Sequence, residues 1–279
     1  MRARNSKEGG GAAEELSHAE EVEPFAGDPD FMASLARGLA VIRAFAGSPP
    51  GGATIAELSL KTGIPRSAVR RCLHTLAQLG YVAADGRRHA LRPKVLSLGA
   101  AYSSSATLST AAQRFLDQLS EAVRESCSLA ALDEGEILYL LRSATSTRIM
   151  SVDLRPGSRL PAYCTSMGRV LLAALPPAEL RSYLQHTRLV AHTDRTITSR
   201  ERLTQVLEAV RRDGRAVVDQ ELELGLRSIA VPVRDAAGRV VAAMNVGTQA
   251  ARVPLREMER RFLAPLRRAA AELGPILRG

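Results

Sequence analysis

Thr54-Ile-Ala-Glu-Leu-Ser-Leu-Lys-Thr-Gly-Ile-Pro-Arg-Ser-Ala-Val-Arg-Arg-Cys-Leu-His-Thr-Leu-Ala-Gln-Leu-Gly-Tyr-Val82, continued by Ala83-Ala-Asp-Gly-Arg-Arg-His-Ala-Leu-Arg92, is the stretch that decides the fold. Thr54 and Glu57 have the spacing of a capping box, so a helix starts there. Ile55, Leu58 and Leu60 are its apolar positions, and Gly63 is its stop, because glycine tolerates the left-handed backbone of a helix end. Pro65 suits the first turn of a second helix, where its missing N–H is no loss. In that helix Ala68, Val69, Cys72, Leu73, Leu76 and Leu79 recur at helical spacing and predict the buried side. Arg66, Ser67, Arg70, Arg71, His74 and Thr75 fall on the other side. Gly80 closes the helix, Tyr81-Val82 starts a strand, and Asp85-Gly86 is a hairpin-turn signal. Two helices joined by a tight turn and followed by a small hairpin form a DNA-reading device, a winged helix-turn-helix. Arginine bonds guanine edges or phosphates, and Ser or Thr does either more weakly. Arg87, Arg88 and Arg92 on the wing are placed to reach phosphates or a minor groove.

A solvated face of charged residues is the plain alternative, and charge placement argues against it. Residues 31–100 hold ten Lys and Arg against two Asp and Glu, whereas residues 1–30 hold three against eight. The whole chain of 279 residues carries a formal charge of +9. A basic concentration on the helix-turn-helix fits nucleic acid.

The length allows about two domains. The apolar fraction of 46%, with five Phe, five Tyr and no Trp, implies cores of Leu, Val and Ala. No apolar run approaches a membrane span, and no signal-peptide pattern opens the chain. Cys72, Cys127 and Cys164 are isolated, which argues against a zinc site or a disulfide framework and fits a cytoplasmic protein. Residues 1–30, rich in Gly, Glu and Ala, read as a disordered acidic arm. A winged helix-turn-helix domain is expected over 31–93, its first helix carrying Phe31, Leu35, Leu39, Ile42 and Phe45 at helical spacing. A linker helix is expected over 94–106.

From 107 to 279 the pattern predicts an α+β domain around an antiparallel sheet. A long helix carries Ala112, Phe115, Leu116, Leu119 and Val123. Strands are expected at Cys127–Leu132, Ile137–Arg142, Ile149–Asp153, Ala216–Asp219, Ile229–Arg234 and Val240–Val246. Helices are expected at Ser166–Leu175, Ala178–Gln185, Ser199–Asp213 (with a capping box at Thr198 and Glu201) and Leu255–Leu277. Enzyme signatures are missing: there is no Gly-x-Ser-x-Gly elbow, Walker loop, Gly-x-Gly-x-x-Gly or His-x-x-x-His pair. His186 and His192 beside Asp194 read as a polar loop rather than a metal site. No catalytic residue, metal or cofactor is expected.

Four segments carry a resemblance. They are Ser34-Leu-Ala-Arg-Gly-Leu-Ala-Val-Ile42, Gly63-Ile-Pro-Arg-Ser-Ala-Val-Arg-Arg71, Arg155-Pro-Gly-Ser-Arg-Leu-Pro-Ala-Tyr-Cys-Thr-Ser-Met-Gly-Arg-Val-Leu-Leu-Ala173 and Asp219-Gln-Glu-Leu-Glu-Leu-Gly-Leu-Arg-Ser-Ile-Ala-Val-Pro-Val233. With Ala242-Ala-Met-Asn-Val246 they make the chain resemble the IclR family of bacterial transcription regulators over roughly residues 31–279. The wording is closest to the subgroup controlling protocatechuate, p-hydroxybenzoate and β-ketoadipate catabolism. The resemblance implies a linker helix that helps dimerise and a GAF-like effector domain. It also implies a small organic acid, aromatic or dicarboxylic, bound over the sheet.

By motif position the acid's pocket is expected near Tyr163, Thr165, Ser166, Met167 and Gly168, Asp219 and Glu221, Arg227 and Ser228, and Met244 and Asn245. Backbone N–H groups at a helix start bind carboxylates, which suits Thr165 to Gly168. Structural roles stand beside these: Ser166 as a helix cap, the two methionines as core filler, Arg227 in a pair with Glu221 or Glu223, and Asp219 as a strand end. The implied partners are operator DNA, the acid, further copies in a homodimer or homotetramer, and RNA polymerase if the protein activates. Repression, or a second domain that only oligomerises, are the alternatives.

Overall fold

The computed structural model describes residues 22–99, 109–143 and 154–277. They fall into two compact units, the first within 22–99 and the second within 109–277. The expected acidic arm up to residue 21, most of the linker helix and the strand at Ile149–Asp153 lie outside the described residues.

In the first unit, α1 (Ala33–Arg43) precedes α2 (Ile55–Thr62) and α3 (Arg66–Gln78). The box at α2 is complete: Thr54 Oγ accepts from the Glu57 N–H, and the Glu57 carboxylate accepts from the Thr54 N–H at 2.7 Å. Gly63 caps α2 in the left-handed region at φ 70°. The wing is a three-stranded sheet of order β1-β3-β2, from β1 (Ala53–Thr54), β2 (Val82–Asp85) and β3 (Arg88–Leu91). Val41, Leu58, Ile64, Val69, Leu73 and Val82 form its core.

Four leucines expected inside lie outside: Leu35, Leu39, Leu60 and Leu79 are all exposed. The inward side of α1 is carried by Ala40 and Val41 with the expected Ile42 and Phe45. Small side chains let one helix approach another closely, and α1 packs mainly on α3. Helical spacing alone could not tell this side from the leucine side.

In the second unit, a six-stranded antiparallel sheet has the order β6-β5-β4-β9-β8-β7. Its strands are β4 (Ser126–Asp133), β5 (Glu136–Ser143), β6 (Arg159–Pro161), β7 (Ala216–Asp219), β8 (Leu226–Arg234) and β9 (Val240–Gln249). Short β6, which ends on a proline, had no alternation to announce it. One face packs on α4 (Ser109–Val123) and α8 (Leu255–Leu273), burying Leu116, Leu129, Val231, Met244 and Phe262. The other packs on α5 (Ser166–Ala174), α6 (Pro177–His186) and α7 (Arg200–Asp213), burying Ala130, Met167, Leu172, Leu203 and Ala230. The fold is α+β, as expected. Helix α7 is capped by Ser199, which accepts from the Arg202 N–H, and not by Thr198. The final helix stops at Leu273, and Gly274 lies so close to the Arg234 carbonyl that a Cβ would sit 2.0 Å from its oxygen.

Candidate functional site

Two surfaces gather the predicted residues, one in each unit. On α3, Val69, Leu73 and Leu76 are buried, and Arg66, Ser67, Arg70, Arg71, His74 and Thr75 are exposed. Ser67, Arg70, His74 and Gln78 are spaced three or four residues apart and form the centre of the exposed side. Gln78, which sequence reading passed over, can bond an adenine edge bidentately. Thr75 is turned back on its own helix, donating to the Arg71 carbonyl at 3.1 Å. Arg87 stands exposed at the wing tip. Arg88 is held instead: it donates to the Gly52 carbonyl at 2.7 Å and lies 3.9 Å from Glu57. The wing thereby uses one of its two tip arginines to fasten itself to α2.

The second surface is a small cavity between α5 and the sheet, with about 40 Å³ of room for the centres of water-sized spheres. Its floor follows from strand register. Ser128 of β4 sits between Arg142 of β5 and Asn245 of β9. In the next row Ser126 faces Gly247, which faces Ser228 of β8. Alternation sends Cys127, Leu129, Met244 and Val246 to the opposite core. The roof is the start of α5, where Thr165 Oγ accepts from the Gly168 N–H and caps the helix. The first-turn N–H groups of Ser166 and Met167 lie ahead of any intrahelical acceptor. Tyr139, Leu160 and Cys164 wall one part of the cavity; Val218, Leu222 and Leu226 wall another. Burial pushes the Tyr139 phenol and the Cys164 thiol up to about 12, so neither ionises at neutral pH.

Three buried polar atoms at this cavity have no partner among the described residues: Ser126 Oγ, Ser166 Oγ and Asn245 Oδ1. Unsatisfied buried polar atoms carry a desolvation penalty, which a ligand or water removes. Arg142 adds a cation; its only side-chain hydrogen bond among the described residues goes to Ser128 Oγ at 3.4 Å.

The pocket expected from motif position separates into two groups. Thr165, Ser166, Met167, Ser228 and Asn245 line the cavity; the other six do not. Glu221 is locked in a buried bidentate pair with Arg169, at 2.7 and 2.6 Å, and also accepts from the Ile197 N–H. Asp219 accepts from Arg195 and Arg227, and Arg227 further donates to the Ala250 and Val253 carbonyls. Tyr163 bonds Val190 and His192, its phenol pushed up to about 12 by burial. Gly168 is there for clearance, since a Cβ would lie 2.1 Å from the Ala162 oxygen. Met244 is in the opposite core. The motif residues outside the cavity thus build its frame. Sequence reading missed Ser126, Ser128, Tyr139 and Arg142, whose signal was a Ser-x-Ser alternation on a covered strand. Among the described residues no group of His, Cys, Asp or Glu could hold a metal.

Family comparison adds an independent line. Residues 34–86 match the model of the IclR helix-turn-helix domain, and residues 100–274 match that of the bacterial transcriptional regulator IclR C-terminal domain. The chain belongs to the IclR family of bacterial transcriptional regulators. It is 54% identical over 257 residues to the Pca regulon regulatory protein of Pseudomonas putida, covering 92% of this chain and 88% of that one. A putative transcriptional regulator from Rhodococcus superposes with a TM-score of 0.77 at 46% identity, covering 88% and 98% of the two chains. The PobR inducer-binding domain from Acinetobacter, a double mutant complexed with 3-hydroxybenzoic acid, matches with a TM-score of 0.56 at 34% identity. That match covers 58% of this chain and 95% of that one. The helix-turn-helix of this regulator is therefore its DNA-binding domain.

Proposed function

We propose that this regulator controls a catabolic operon by binding a small aromatic or dicarboxylic acid in the cavity under α5. The observation that carries the reading is that Ser126 Oγ, Ser166 Oγ and Asn245 Oδ1 line one cavity with Arg142, all three buried and without a partner among the described residues. Acceptors, hydroxyls, helix N–H groups and one cation are the complement of a carboxylate with a polar substituent. The complex of the PobR domain with 3-hydroxybenzoic acid and the likeness to the Pca regulon regulatory protein support that class. The high pKa of Cys164 and Tyr139 suits binding rather than nucleophilic catalysis.

Arg66, Ser67, Arg70, Arg71, His74 and Arg87 read the operator, with Thr75 and Arg88 in lesser roles because their side chains are engaged. A homodimer or tetramer presents two such helices about one helical turn apart. Exposed Leu35 and Leu39 on one side of α1 are the kind of surface that a second copy covers. The protein acts in the cytoplasm and, where it activates, contacts RNA polymerase; no described helix is long and apolar enough to cross a membrane. The acid shifts DNA occupancy only by its differential affinity for DNA-competent and incompetent states.

The test is fluorescence anisotropy on the protein's own upstream DNA at two salt concentrations, with and without protocatechuate, p-hydroxybenzoate and 3-oxoadipate. Salt-sensitive binding that survives competitor DNA and responds to one acid is the expected result. Specific binding indifferent to every acid would remove the sensing role.

A further inference from the structure

We propose that the acidic segment 8–21 docks on the basic side of α3 and competes there with DNA, so that the chain carries its own phosphate mimic. This rests on α3 as the DNA-reading helix and adds a second occupant for the same surface. Arg66, Arg70, Arg71 and Arg87 are exposed and hold no carboxylate among the described residues. Their own domain has almost none to offer. Residues 31–100 contain two carboxylates, Glu57 and Asp85. Glu57 accepts from the Thr54 N–H at 2.7 Å and lies 3.9 Å from Arg88, and Asp85 ends β2 at the wing turn. Segment 8–21 has the opposite composition: Glu8, Glu14, Glu15, Glu20 and Glu21, with no Lys or Arg.

The segment has the reach. It joins α1 through residues 22–32, and α1 packs mainly on α3. Its length of 14 residues spans at most about 50 Å, whereas a domain of this size has a radius of gyration of about 12 Å. Opposite charges in water attract weakly, and tethering compensates, because a tethered group acts at an effective concentration on the order of millimolar. A contact with a dissociation constant of about 0.2 mM then leaves the α3 face free about one-sixth of the time. DNA of any sequence has to displace the segment, so its affinity falls about sixfold. Salt weakens the segment's hold along with that of phosphate, which flattens the salt dependence of DNA binding. The glutamates act on the free arginines of α3 and not on Arg88, whose guanidinium already serves Gly52.

The test compares the full chain with a variant carrying Glu8→Gln, Glu14→Gln, Glu15→Gln, Glu20→Gln and Glu21→Gln together. Fluorescence anisotropy is measured on a duplex of unrelated sequence and on the protein's upstream DNA. At about 50 mM salt the variant is expected to bind both about sixfold more tightly. The gap is expected to close by about 0.5 M, where the Debye length is about 4 Å. A labelled peptide of residues 8–21 then separates docking from mere repulsion between the segment and DNA. It is expected to bind the variant saturably, to be displaced by DNA, and to lose its binding when Arg70→Ala and Arg71→Ala are added. Equal DNA affinity of the two proteins overturns the docking. So does a peptide that fails to bind, or one whose binding survives loss of the two arginines. Operator affinity unchanged by Arg70→Ala and Arg71→Ala overturns both readings, because α3 is then not the surface that DNA uses.

Discussion

The arginines of α3 and the wing tip and the buried or half-buried arginines of the second unit have the same chemistry and opposite employment. Arg66, Arg70, Arg71 and Arg87 stand exposed with no hydrogen bond or ion pair among the described residues. Arg159, Arg169, Arg215 and Arg227 are half-buried or buried and each is neutralised by a carboxylate. A cation left free at a surface costs little, because water screens it, and it remains available to phosphate. A cation below the surface must be paired, so in the second unit pairing marks architecture. Arg142 breaks the pattern, and that exception is what identifies it.

The sharpest way to break the comparison is Arg169→Ala. It leaves the Glu221 carboxylate buried without its partner and is expected to cost about 3–5 kcal/mol in chemical denaturation. A loss below about 1 kcal/mol would mean the pair is not structural. Ser166→Trp comes next: it fills the cavity, and acid titrations should show no binding while the melting curve stays cooperative. Arg70→Ala and Arg71→Ala follow, each expected to weaken operator binding by about 1–3 kcal/mol and to lower the salt slope by about 1, with acid affinity unchanged. Unaltered operator affinity in both would dismiss α3 as the reading helix. Arg88→Ala should weaken operator binding by less than either, because its guanidinium already serves Gly52.

The smallest expected effect is a pH dependence at Asp219. Burial pushes its carboxyl up, but hydrogen bonds from Arg227 and Gln220 and the charges of Arg227 and Arg195 outweigh this and hold it below the usual range. A carboxylate lowered on folding stabilises fully above its unfolded value, about 3.9, and that contribution fades as pH falls through the folded value. The melting-temperature difference between wild type and Asp219→Asn should be constant from pH 7 to 5 and shrink below about pH 4. A difference that instead grows on acidification would reverse the assignment.

Much of this was legible in the chain. Local signals had local causes: the Thr54–Glu57 box, the Gly63 stop, the Asp85-Gly86 turn and the basic side of α3 depend on residues within a few positions of one another. The cavity was half legible. Thr165, Ser166, Met167, Ser228 and Asn245 stood out because they sit in the family's motifs; Ser166, weighed as a helix cap, is instead the first residue of the helix that Thr165 caps. The rest was hidden, since Ser126, Ser128 and Arg142 become neighbours of Asn245 only through strand pairing across more than a hundred residues.

By itself, the sequence determined the helix-turn-helix, the wing, the α+β class and the placement of free charge near the N-terminal domain. Those follow from backbone preference and periodicity, which act over one or two turns. Only the tertiary structure decided that Glu221, Asp219 and Arg227 brace the fold while Arg142 is left unpaired. It also decided that α1 turns Ala40 and Val41 inward and Leu35 and Leu39 out. Pairing and burial depend on what long-range packing brings alongside, and the same residue type serves either role according to the neighbour it finds.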